Sequence, residues 1–264
     1  MNFAKERLRK GEFLNVMWSA TGSPHMIAAG WKHGYHVCLA DAEHNPGMSV
    51  ERLLNLRNGF MALQAEQQKE CEFGVRVPVA NRDWLQHLAD GGVRLFVIPM
   101  IDTAEQAAEV VSMLLYPPLG KRGGAGHMPC NLYGGNPQYY QQANENMCVV
   151  VQAETPKALG NLPAISAVAG VDMVFFGPFD LHITSDKGFR TGDLGVEQTI
   201  KNAVAGVQNK LRSARFGIME PREDMLWTWF RSGIQFVATP DTVLVDRVFA
   251  KRAQDVVSAF NPAT

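Results

Sequence analysis

Cysteine is scarce in this chain of 264 residues, and the four present (Cys38, Cys71, Cys130 and Cys148) are widely spaced with no CxxC pair. That excludes a disulfide scaffold and the usual zinc frameworks. Cys38 and Cys148 lie inside apolar runs and are expected to behave as small hydrophobes in a reducing compartment. No apolar run approaches the roughly 20 residues of a membrane-spanning helix. The N-terminal stretch MNFAKERLRKGEF is too polar for a secretory leader, so a cytoplasmic protein is expected. Neither sign of charge dominates: 25 Lys and Arg against 26 Asp and Glu give a formal charge of −1, without the basic footprint of a nucleic-acid binder. No glycine-rich phosphate fingerprint follows the first apolar strand, which argues against an open doubly wound sheet.

What the chain does contain is a repeated alternation of short apolar runs with amphipathic stretches. The clearest runs are VVVQAE at 149–154 and MVFFGPFD at 173–180, each ending abruptly at a carboxylate. Such runs read as strands buried on both faces. Further strands are expected at 13–19, 36–41, 73–78, 94–100, 216–220 and 234–239, with strand five over 147–154 and strand six within 171–180. Helices fall between them. Ser23-Pro24, Ser49, Asn81, Thr103 with Gln106, Thr155-Pro156 and Asp241 supply start signals. The last helix is expected to end near Phe260, and residues 1–10 to form a short helical turn before the core. Eight strands alternating with eight helices predict a parallel sheet closed into a single-domain (β/α)8 TIM barrel over residues 1–264. Two segments lack a period. Residues 116–140 are expected as a functional loop over the rim after strand four, and SDKGFRTGD at 185–193 as a second polar loop.

In such a barrel the polar residues that matter sit just past the strand ends. Strand two is followed by Asp41, Glu43 and His44. Arg76 interrupts strand three, Gln152 and Glu154 end strand five, and Asp180 ends strand six. Asp41 is expected to hydrogen-bond His44 across a turn, fixing a tautomer suited to proton transfer, or else to cap a helix beside a solvated His. A charge such as Arg76 in an apolar strand needs a partner or a ligand. It either pairs with a barrel carboxylate or stabilises an enolate oxygen. Glu154 and Asp180 can hold a hard divalent cation or pair with Lys or Arg. Gly177-Pro178 turns the backbone where N–H groups can meet an anion. Lys121 and Arg122 read as attractors of an anionic substrate or as solvated loop charges. Met100 and Trp84 read as packing residues.

Several stretches in order resemble the HpcH/HpaI aldolase and citrate lyase family, specifically its short pyruvate aldolases. They are DAEH at 41–44, GVRVP at 74–78, VIPMIDTAEQA at 97–107, YPPLGKRG at 116–123, VQAET at 151–155 and GPFDL at 177–181. The resemblance implies a metal-dependent class II aldolase that cleaves or forms 4-hydroxy-2-oxo acids through a pyruvate enolate, giving pyruvate and an aldehyde. It implies Glu154 and Asp180 as ligands of Mg2+, Mn2+ or Co2+, and Arg76 on the carbonyl oxygen of pyruvate. His44, supported by Asp41, would transfer a proton through a bound water. Gln152 would lie near the metal and substrate. Gly177, Pro178 and Phe179 would line the substrate site, the backbone at Phe179 and Asp180 receiving the pyruvate carboxylate. Asp90, in LADGG, matches a family aspartate that reaches a neighbouring subunit's site. A homohexamer, a trimer of dimers exchanging the last helix, is implied as well. Phe179 stands where the family usually has a small residue, and Asn45-Pro46 where Gly-Pro is usual. The absence of a lysine at a strand end argues against a Schiff-base aldolase. The rival functions are a lyase or decarboxylase using the same enolate, for example on oxaloacetate, and a non-catalytic barrel.

Overall fold

Eight parallel strands follow one another round a closed barrel in chain order, and the last pairs with the first. In this computed structural model, which describes residues 2–67, 69–185, 194–211 and 213–260, the strands are β1 (Leu14–Ser19), β2 (Val37–Asp41), β3 (Glu72–Arg76), β4 (Leu95–Ile98), β5 (Cys148–Ala153), β6 (Met173–Phe176), β7 (Phe216–Met219) and β8 (Ile234–Pro240). Closure is made by Leu14 opposite Phe236 through Trp18 opposite Pro240. The expected (β/α)8 barrel is thus the fold.

The strands read as continuous apolar runs because both faces are covered. Leu14, Val16 and Trp18 point into the barrel with Cys148, Val150 and Phe175, while Met17, Val149 and Val151 pack outward against the helices. This is the period-two alternation of a strand with two dry sides. The N-terminal helix Phe3–Arg9 closes the end where the strands begin. Ala4 and Leu8 join the barrel interior, and Lys5 Nζ is anchored on the Met147 carbonyl at 2.6 Å and on Asp172 at 3.1 Å. The helix starts are mostly those the sequence signals: Asn81 accepts from Trp84 N–H, Thr103 and Gln106 form a reciprocal capping box, and Thr155 accepts from Ala158 N–H. Ser23 precedes Pro24–Lys32 without a side-chain cap bond.

Two expectations need correction, and two contacts add to what the sequence showed. The segment 116–140 is not over the catalytic rim. It follows the helix Ala104–Leu114, which returns the chain to the strand starts, so it lies at the N-terminal end of the barrel. It holds a short 3-10 turn at Pro129–Asn131 and runs into the helix Tyr139–Asn146, tied down by Tyr116 N–H on Asn144 Oδ1 at 2.7 Å. Strand six stops at Phe176. Pro178 opens a helix, Pro178–Thr184, that carries Asp180 in its first turn, since proline suits a first helical position and not a central strand. Asp241 does more than start the last helix, Asp241–Phe260. Its buried carboxylate accepts from Ser19 Oγ, Ala20 N–H and Thr21, stitching β8 to the end of β1. Cys38 and Cys71, distant in sequence, meet as buried free thiols with their sulfurs 3.9 Å apart. Most of the polar loop at 185–193 lies outside the described residues. Among the described residues no helix is long and apolar enough to cross a membrane.

Candidate active site

The ionisable side chains gather where the strands end. Asp41 and Arg76 are register partners as the last residues of β2 and β3. Gln152 lies on β5, Glu154 just past it, and Asp180 on the helix after β6.

Arg76 is buried, and its guanidinium is gripped on two edges. Nε and Nη2 donate to Asp41 Oδ1 and Oδ2 at 2.8 and 2.6 Å, and Nη1 lies 2.7 Å from Glu43 Oε2. One face rests on the Trp18 ring, 4.8 Å from its centroid, and Trp18 Nε1 donates to Asp41 Oδ2 at 3.3 Å. Burial pushes the Asp41 carboxyl up, but hydrogen bonds from Arg76, its charge, Trp18 and the Glu43 N–H outweigh that and hold it below the usual carboxylate range.

Glu154 has the opposite balance. Burial raises it, the Asp180 and Glu43 carboxylates raise it further, and Arg76 and the Met100 N–H only partly oppose them. The result is a carboxyl pushed up to about 7. Its Oε1 accepts from Gln152 Nε2 at 2.5 Å and its Oε2 from Met100 N–H at 3.2 Å. Met100 delivers that N–H from a left-handed conformation, φ 57°, which an unbranched non-glycine residue rarely adopts and which marks a constrained position. Gly177 packs against the same carboxylate. A Cβ there would lie 2.6 Å from Glu154 Oε1.

A carboxyl raised by burial and by like charges, beside a buried Gln152 Oε1 with no partner, is a set of oxygen acceptors that could hold a cation. An all-oxygen set of this kind suits a hard divalent ion, which often takes one or two carboxylates and keeps water on its remaining positions. Among the described residues no group of three or more His, Cys, Asp or Glu is placed to hold a metal ion.

The remaining candidates sort by position. Gly177 is buried, Pro178 half-buried, and Phe179 exposed. The expected Asp41–His44 hydrogen bond is absent. The Asp41 carboxylate is taken by Arg76, Trp18 and the Glu43 N–H, and the His44 side chain is 65% exposed with Nε2 4.0 Å from Glu43 Oε2. The buried end of β2 points Asp41 inward, toward the Arg76 guanidinium and away from an exposed rim imidazole. Asp90 ends the helix Arg82–Asp90 and so sits at the opposite end of its own barrel, paired with Arg122 at 2.7 Å. Arg122 is therefore no solvated loop charge. It is buried, with Tyr116 beneath it at 4.5 Å, whereas exposed Lys121 pairs with Glu109. Sequence reasoning gave Glu43 and Trp18 no role and took Met100 for packing, yet all three touch Arg76, Asp41 or Glu154. The sequence signal for Glu43 was its place in DAEH, and for Met100 the proline before it. A groove of about 550 Å³ opens beside Glu43, lined by Val79, Pro99, Met100 and Ile101 among others.

A parallel (β/α)8 barrel with its charged groups gathered at the strand C-termini is the layout of an enzyme. The profile of the HpcH/HpaI aldolase/citrate lyase family matches residues 14–239. The 2-keto-3-deoxy-L-rhamnonate aldolase of Klebsiella pneumoniae is 32% identical over 94% of this chain and 90% of its own. The 4-hydroxy-2-oxovalerate aldolase of Rhodococcus jostii is 34% identical over 90% and 89% respectively. The crystal structure of an HpcH/HpaI aldolase/citrate lyase family protein from Burkholderia cenocepacia superposes with a TM-score of 0.89 at 26% identity, covering 98% of this chain and 100% of that one. The chain belongs to the HpcH/HpaI aldolase/citrate lyase family.

Proposed function

We propose that this chain is a class II, divalent-metal-dependent aldolase that cleaves or forms 4-hydroxy-2-oxo acids by way of a pyruvate enolate, with an aldehyde as the second product or substrate. The reading rests on one observation above all: Glu154 lies in the electrostatic reach both of Asp180 and of an arginine that two carboxylates hold in place. Glu154 and Asp180 would hold the ion, which the donor set fits as Mg2+, Mn2+ or Co2+. When bound, the ion would act as a Lewis acid on the 2-oxo acid.

The protein's own groups do the rest. Arg76 stays charged at any working pH and provides fixed positive charge where negative charge develops on the carbonyl oxygen, without reorganising during the reaction. Asp41 positions that arginine. Gln152 holds one oxygen of Glu154 through its N–H and turns its open Oε1 toward the same locality. Gly177 and Pro178 lead into the first turn of the helix that carries Phe179 and Asp180, where the helix dipole favours the pyruvate carboxylate. His44, exposed at the rim, exchanges protons through water as the 4-hydroxyl is deprotonated. Asp90 cannot reach the rim of its own barrel, so a catalytic part for it requires a neighbouring subunit. A homohexamer with exchanged C-terminal helices would provide one. We assign the enzyme to the cytoplasm, where its four free thiols stay reduced.

The test is exchange of the pyruvate C3 protons in D2O, followed by NMR with added Mn2+ or Mg2+ and again with excess chelator. Metal-dependent exchange is expected. Equal exchange in both, or none in either, would remove the enolate from the account.

A further inference from the structure

Arg76 carries five N–H groups. Asp41 takes two of them, one on Nε and one on Nη2, in a fork along one edge. Such a fork fixes the near edge of the guanidinium but leaves the far Nη1 edge free to swing about it. Trp18 supports one face of the plane. The far edge is met by Glu43, whose Oε2 lies 2.7 Å from Nη1. That oxygen lies off the N–H directions, because it is buried without a partner of hydrogen-bond geometry. The contact therefore acts as fixed negative charge against the Nη1 edge. Three N–H groups remain for a ligand, one on Nη2 and two on Nη1.

Glu43 is held in its place by the same carboxylate that grips Arg76. The Glu43 N–H donates to Asp41 Oδ1 at 3.0 Å, the same oxygen that receives Arg76 Nε. One carboxylate thus sets both the near edge of the guanidinium and the turn that brings a second carboxylate to its far edge. A third acid in reach of Glu154 and Asp180 adds like-charge repulsion there, which its contact with Arg76 opposes. Resting on the aldolase reading above, we propose that Glu43 is a positioning residue. It fixes the tilt of Arg76 so that the N–H groups left over meet the oxygen on which enolate charge develops.

The prediction separates two ligands. Pyruvate has its charge on the carboxylate. Oxalate has a second full negative charge where the enolate oxygen of pyruvate forms, so it reports on the aim of Arg76. Calorimetry with Mn2+ present is run on wild type, Glu43→Gln and Glu43→Ala, each checked for an unchanged melting temperature. The Gln variant keeps the side-chain bulk should the Ala variant not fold. Oxalate affinity is expected to fall about 10- to 100-fold in Glu43→Ala, the scale of one oxyanion donor misplaced. Glu43→Gln should be intermediate, and pyruvate affinity should shift less than about threefold. In turnover, kcat should fall with KM for the oxo acid nearly unchanged. Variants that keep the wild-type ratio of oxalate to pyruvate affinity, or that lose both ligands equally, would overturn the role of Glu43 alone. A wild type that binds neither ligand would overturn the aldolase reading and this inference with it.

Discussion

Asp41 and Arg76 sit opposite each other at the last rungs of β2 and β3, and their side chains close a two-bond fork of 2.8 and 2.6 Å above those rungs. The pairing is a consequence of register. Two neighbouring parallel strands that end on complementary charges place those charges side by side at the rim, buried enough that neither can turn to solvent. Arg76 is then aimed by the backbone of the barrel itself, and its charge is held in one place without a conformational search.

Arg76→Lys tests the fork. Lysine keeps the positive charge but cannot span both oxygens of Asp41 while presenting further donors. Turnover should fall by on the order of 10²- to 10³-fold, with the melting temperature lowered only modestly. Asp41→Ala should behave differently. It strands a buried guanidinium and should cost about 3–5 kcal/mol of stability, read as a lower urea midpoint. Near-wild-type turnover in Arg76→Lys would show that the fork is not needed for the chemistry.

Asp241 offers a test of barrel closure that avoids the chemistry. Its carboxylate is fully buried and serves Ser19 Oγ, Ala20 N–H and Thr21 Oγ1. Asp241→Ala leaves these donors without an acceptor, at about 1–3 kcal/mol for each that water cannot reach. Chemical denaturation should show a loss of several kcal/mol. Asp241→Asn keeps an acceptor oxygen and should lose less. Equal midpoints for the two variants would mean that the hydrogen bonds across the β8–β1 seam contribute little.

The barrel was legible because its signals are local. Apolar runs such as VVVQA and caps such as Thr103 with Gln106 depend on residues within one element. The rim position of Glu154 followed from the same local reading. What escaped depended on neighbours distant in sequence. The partner of Asp41 proved to be Arg76, 35 positions away, and not His44, three positions away. Asp241 gave a helix-start signal, which holds, but its hydrogen-bond partners Ser19, Ala20 and Thr21 lie at and just past the end of β1. The end of the barrel over which residues 116–140 pass is fixed by the direction of the preceding helix, and composition says only that the stretch is irregular. Proline was the one local signal misread, since Pro178 inside an apolar run marks a helix start and moves Asp180 off the strand.

Glu154 predicts a pH dependence with a definite sign. Its ordinary value near 4.5 is raised to about 7 in the folded protein by burial and by the Asp180 and Glu43 carboxylates. Between those values the native state holds more protons than the unfolded one. The stability it contributes to the metal-free protein is therefore complete below about pH 4.5 and is lost as pH rises through about 7. A divalent ion held by Glu154, as proposed, would compete with that proton. Thermal melts with chelator should show a steeper loss from pH 5 to 8 in wild type than in Glu154→Gln. Added Mn2+ should raise the melting temperature at pH 8 and hardly at pH 5. The same Mn2+ effect at both values would separate Glu154 from the ion.

Gly177→Ala probes the Glu154 pocket from the other side. Gly177 has an ordinary backbone, φ −99°, so the methyl group is tolerated by the chain itself and any cost is steric. The added Cβ would fall 2.6 Å from Glu154 Oε1 and 3.1 Å from its Cγ. These are not the far end of a loose side chain, because Gln152 and the Met100 N–H hold both carboxylate oxygens. The carboxylate must shift and loosen one of those bonds. Overpacking of this kind costs about 1–3 kcal/mol, and an ion held by only two carboxylates has little redundancy to absorb a displaced ligand. Titration with Mn2+ followed by electron paramagnetic resonance should show affinity reduced about tenfold or more, since 1.4 kcal/mol is a factor of ten. The melting temperature in chelator should fall only slightly. An unchanged Mn2+ affinity would mean that Glu154 does not contact the ion, and the oxygen set at this rim would need another explanation.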